Sequence, residues 1–146
     1  MSRGLAWAHD DGGRASAGYK GKTGDCVCRA VAIATETTYQ DVYEAINELG
    51  QRERITARKK TKSHARKGVF RGTIRKLMES YGWEWTPTMH IGSGCKVHLR
   101  QGELPMGRLV VSVSKHMVAV IDGVVHDTHD PTREGTRCVY GYWQKP

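Results

Sequence analysis

Hydrophobic positions divide the 146-residue chain into a front half of helical period and a rear half of strand period. Val27, Ala30, Val31 and Ala34 recur at i, i+3, i+4, i+7, which predicts a helix buried on one side over 26–35 with Asp25 as its N-cap. Thr37 followed by Gln40 has the form of a capping box. Val42, Ile46 and Leu49 then give a second helix that stops at Gly50. Phe70, Ile74, Leu77, Met78 and Tyr81 fall on one side of a third helix, stopped at Gly82. Residues 52–67 have no sustained period and read as a long loop or a poorly ordered insertion, and the Gly-rich residues 1–24 as an irregular arm.

In the rear half, residues 83–87 read as a short edge strand, and 93–101 fit a short helix or a strand equally. Residues 108–114 carry the strongest strand signal. Two more apolar runs, 116–121 and 124–128, flank Asp122-Gly123, a strong hairpin turn signal, and a last strand covers 137–143. The order predicts an α+β fold, helices first and an antiparallel sheet second. The expected organisation is one domain over 1–146, with a flexible arm over 1–18 and an insertion over 52–68.

Composition narrows the classes. No apolar run approaches the roughly 18 residues of a membrane span, and the first residues have no apolar signal core, so a cytoplasmic protein without a membrane partner is expected. Its four cysteines, Cys26, Cys28, Cys95 and Cys138, are then expected to stay reduced. The net charge of +8 is concentrated: residues 52–76 hold eleven Lys or Arg against one acid, Glu53. Arg58, Lys59, Lys60, Lys62, Arg66 and Lys67 are the candidates for contact with nucleic acid or another acidic partner. No groove-reading motif accompanies them, so a solvated loop is an equal alternative.

The chemistry centres on Cys26. A thiol in the first turn of a helix meets unpaired N–H groups and the positive end of the dipole, which can lower its pKa from about 8.5 to roughly 3.5–7.5. A lone cysteine is more often a small buried residue, and the hairpin changes that balance. With Asp122 and Gly123 in the turn, alternation puts His116, Val118, Val120, Val125, Asp127 and His129 on one face. Asp127 is then diagonal to His116, at about 7–8 Å between backbones. An aspartate that orients an imidazole is half of a nucleophilic triad, and Cys26 packed on that face would complete it. A zinc set from Cys26, Cys28, Cys95 and His90 or His98 is disfavoured, because a Cys-x-Cys pair on a helix sends its sulfurs to different sides; no metal or cofactor is expected. Cys28 is expected to pack against the second helix.

Gly24-Asp25-Cys26 opening a helix, a capped second helix, and the run from Lys115-His116 through Asp122-Gly123 to His126-Asp127 resemble papain-like thiol peptidases. The likeness is to compact bacterial and phage forms such as bacteriocin-leader peptidase domains. It implies Cys26 as nucleophile, His116 as base, Asp127 as third member, and a peptide or protein substrate. It further implies a Cys-His-Asp peptidase, amidase or isopeptidase working through a thioacyl-enzyme. The family's glutamine about six residues before the cysteine, which helps hold the oxyanion, is Lys20 here, so Lys20 is the oxyanion candidate, with Lys22 and the Cys26 backbone N–H as alternatives. The alternative is a non-catalytic, basic, nucleic-acid-associated protein on the same scaffold.

Overall fold

The computed structural model describes residues 4–20, 24–58, 60–90 and 92–146. Three helices, α1 (Cys26–Thr35), α2 (Tyr39–Gln51) and α3 (Arg71–Ser80), accompany six strands. These are β1 (Ala6–His9), β2 (Glu84–Pro87), β3 (Arg108–Val113), β4 (His116–Ile121), β5 (Val124–Asp127) and β6 (Val139–Gln144). The fold is α+β, with one sheet in the order β1-β5-β4-β3-β6-β2. Among the described residues no helix is long and apolar enough to cross a membrane.

The sheet is buried on both sides, which is why β3 and β4 read as nearly continuous apolar runs. Val110, Met117, Ala119 and Trp143 form a core with the three helices. Leu109, Val111, Val113, Val118, Val120 and Val125 form a second core on the opposite face, closed by Leu5 and Leu99. The hairpin register is the expected one, with Ile121 opposite Val124, Val120 opposite Val125 and Ala119 opposite His126.

Several expectations are corrected. The sheet is mixed, because residues 6–9 are not part of a loose arm: they form β1, parallel to β5, and His9 lies opposite Asp127. The main-chain carbonyl of Asp127 accepts from Asp10 N and from Trp7 Nε1, both at 3.0 Å. Gly12, at φ +70°, then lies against the main chain of Arg29, where a Cβ would stand 3.1 Å from that residue's Cα. A parallel pairing needs no local turn, so nothing in the N-terminal sequence announces it.

The cap of α2 is Thr38, whose hydroxyl accepts from Asp41 N at 3.1 Å, not Thr37. Phe70 is 40 % exposed and precedes α3 as its cap rather than joining its buried side. Cys95 and Cys138, expected reduced, are joined by a disulfide. The bridge between His98 and Cys138 brings the 95–98 segment alongside the chain entering β6, so the two sulfurs meet across 43 residues of sequence.

The insertion is also anchored in its second half. Ser63 and Ala65 are buried. Ser63 N donates to Glu53 Oε1 and Ala65 N to Asn47 Oδ1. A Cβ at Gly50 would collide with the Ser63 carbonyl, so the last turn of α2, which runs one residue past the expected stop, carries glycine where this loop crosses it.

Candidate active site

Helix α1 begins at Cys26, and the N–H groups of its first turn have no carbonyl partner within the helix. Asp25 precedes it but is no hydrogen-bonding cap. Its fully buried carboxylate instead lies 3.2 Å from Arg29 Nε and 3.4 Å from Arg14 Nη1, and accepts from the Tyr39 hydroxyl at 2.9 Å. The side chain is therefore not the backbone cap predicted at position 25. Two guanidiniums and a phenol outcompete that role, and a negative charge at a helix N-terminus is favourable in either case.

His116 opens β4 after a turn in which Lys115 adopts φ +54°, and Asp127 closes β5 at the same end of the sheet. Their side chains meet, Nε2 to Oδ2, at 2.6 Å. The other Asp127 oxygen accepts from Thr128 N at 2.7 Å and lies 3.5 Å from Arg29 Nη1. Because Nε2 is committed to Asp127, Nδ1 is the ring nitrogen left to face Cys26. The Cys26 sulfur is within hydrogen-bonding reach of the ring and of the Met117 main chain. The expected convergence of Cys26, His116 and Asp127 is therefore present, but by a different route. The face carrying Val118, Val120 and Val125 is turned away from α1, which packs on the opposite one. The three residues meet because His116 and Asp127 are strand termini at one end of the sheet and Cys26 is the helix terminus over that end.

Charge follows geometry. Burial alone pushes the Cys26 thiol up, but the His116 ring, the Met117 main chain and Arg29 together hold it below its ordinary value. Burial likewise works against a charged imidazole, yet Asp127 and Cys26 raise His116 to about 9. Burial raises Asp127 as well, and His116, Thr128 N and Arg29 bring it below the usual carboxylate range. These directions all favour a thiolate-imidazolium pair held by a carboxylate over a neutral thiol and imidazole. Cys28, two residues on, is the contrast: fully buried, with its thiol donating to Tyr39 O, it is pushed up to about 12 by burial and by Asp25.

Arg29 is the functional residue that sequence reasoning missed. It is 7 % exposed, links Asp25 to Asp127, and donates to Thr128 Oγ1 at 2.6 Å. An Asp-Arg pair at i, i+4 was the available signal. From Arg14 through Asp25, Arg29 and Asp127 to His116 the partners alternate between cation and carboxylate.

Lys20 is exposed and offers its carbonyl, not its ammonium, to a described partner: Arg66 Nη2 donates to it at 2.7 Å. Arg66 also lies over the Tyr19 ring, and its carbonyl accepts from Gly24 N. It therefore braces the approach to Cys26. Of the other basic candidates, Lys62 donates to Gln51 O, while Arg58, Lys60 and Lys67 are exposed; Lys22 and Lys59 lie outside the described residues.

His116, Asp127 and His129 offer ligand atoms within 4.8 Å of one another. Asp127 already serves His116 with one oxygen and Thr128 with the other, and the Arg29 guanidinium beside it opposes a cation, so the group is better suited to hold a proton than a metal. Against family models, curated proteins and solved structures, the chain gives no match.

Proposed function

We propose that this protein is a cysteine-dependent hydrolase of papain-like organisation, a peptidase or an amidase or isopeptidase. The observation that carries the reading is one imidazole between a sulfur and a carboxylate, with the Nε2–Oδ2 contact at 2.6 Å and a thiol pKa below its ordinary value. The Cys26 thiolate attacks the carbonyl carbon of an amide, forming the C–S bond as the carbonyl electron pair moves to oxygen. The Cys26 N–H, at the start of α1, is the candidate oxyanion donor. His116 gives its Nδ1 proton to the departing nitrogen, the C–N bond breaks, and a thioester remains. Neutral His116 then takes a proton from water as the water attacks, and cleavage of the C–S bond restores the thiolate.

Iodoacetamide tests the reading. Cys26 is expected to be alkylated at neutral pH at least about tenfold faster than a free thiol with a pKa of about 8.5, and Cys28 not at all. Cys26→Ala should abolish both labelling and amide hydrolysis; labelling confined to other cysteines would end the proposal.

A further inference from the structure

We infer that the pocket beside the thiol is a binding site for peptides carrying a bulky apolar side chain flanked by acidic residues. The inference rests on the hydrolase reading for its place in a reaction, though not for its existence as a binding site. A pocket of about 730 Å³ lies between α3 and the β6–β2 edge of the sheet. That is a size suited to holding a small ligand or several side chains, within the roughly 300–1,000 Å³ typical of binding pockets. Ile74, Trp85, Met117, Tyr140 and Trp143 make its walls apolar. Met117 connects it to the chemistry, because the same residue lines the pocket and meets the Cys26 sulfur through its main chain. A chain with its carbonyl at Cys26 therefore has a neighbouring side chain at the pocket.

The charge around the pocket selects further. Its lining includes Arg71, Arg75 and His90 and, among the described residues, no carboxylate. Arg71 and Arg75 stand one turn apart on α3, so both present to the same side. Arg71 is exposed and has no ion-pair partner among the described residues. Arg75 has only Glu79, at 3.9 Å on the exposed surface, a pairing of little energetic consequence. Two guanidiniums at the mouth of an apolar pocket favour carboxylates and repel lysine. A nucleic acid would also satisfy them, but the pocket gives it no flat platform: Trp143 is 4 % exposed and Trp85 is tilted 51° against it.

The test uses the full chain carrying Cys26→Ala and follows tryptophan fluorescence. N-acetylated peptide amides of sequence Glu-Leu-Glu, Lys-Leu-Lys and Glu-Gly-Glu are compared. Glu-Leu-Glu is expected to bind about tenfold or more tighter than either of the others. Arg71→Glu with Arg75→Glu should invert the charge preference, and Arg71→Gln with Arg75→Gln should erase it. Arg54→Glu with Lys145→Glu, the same change of net charge at exposed positions outside the pocket lining, should leave it in place. Equal binding of the three peptides, a preference that survives reversal of Arg71 and Arg75, or displacement of Glu-Leu-Glu by a lower concentration of oligouridylate would overturn the inference. Slow alkylation of Cys26 in the unmodified chain would count against the hydrolase reading alone, while these binding comparisons decide the pocket separately.

Discussion

Two cationic regions of this molecule use charge in opposite ways. At the front of α1, Arg14 pairs with the buried Asp25, and Arg29 is 7 % exposed with Asp25 and Asp127 on either side. In the first half of the 52–70 segment, Arg54, Arg58 and Lys60 stand in solvent. Cations that sit between buried carboxylates fix geometry and protonation, because neither partner can be removed without stranding the other. Cations in water shape only the long-range field, which salt screens. The largest expected effects of mutation therefore lie in the first region.

Asp127→Asn breaks the comparison at its most sensitive point. The amide keeps the shape but removes the charge that holds His116 protonated, so hydrolysis should fall by roughly 10²–10⁴. The pH profile separates this from a structural loss. In the unmodified protein the thiolate is lost as pH falls through the lowered pKa of Cys26, and the imidazolium as pH rises through about 9. The alkaline limb should move toward neutrality in Asp127→Asn, and an unmoved limb would detach Asp127 from the proton. Stability follows the same signs. The raised His116 pKa contributes below its unfolded value of about 6.5 and is lost through about 9, and the lowered Asp127 pKa contributes above about 3.9 and is lost in acid.

Arg29→Met tests the buried cation directly. It leaves Asp127 without its guanidinium and Asp25 with only Arg14, and it should cost about 3–5 kcal/mol in chemical denaturation. A cost below about 1 kcal/mol would show that the network is solvated rather than interlocked.

What the sequence made legible was local. The bounds of the first helix follow from four apolar positions, and the hairpin register from one Asp-Gly turn. The meeting of His116 with Asp127 was legible because eleven residues and a tight turn separate them. The face on which they meet was not, since alternation describes strand interiors while these residues are strand ends. Trp7 and Asp10, which hold the main chain of Asp127, act through a parallel pairing that spans most of the chain. The disulfide is hidden for the same reason, because only tertiary structure brings position 95 to position 138. Cys95→Ser with Cys138→Ser should lower stability by about 2–4 kcal/mol, read as a fall in the denaturation midpoint that reducing agent reproduces in the unmodified protein.

The smallest effects should come from the exposed half of the loop, and they sharpen the comparison most, because that segment also contains Arg66. Arg58→Ala and Lys60→Ala remove charges that make no described contact, so each should change stability by less than about 0.5 kcal/mol. Arg66→Ala removes a guanidinium that donates to the Lys20 carbonyl and covers the Tyr19 ring, and should cost about 1 kcal/mol or more. The three substitutions remove the same formal charge within nine positions of sequence. If stability tracked net charge alone they would be indistinguishable. A larger loss at Arg66 locates the stabilising role in what a cation touches, and it separates the half of the loop that braces the approach to Cys26 from the half that remains free to meet a partner.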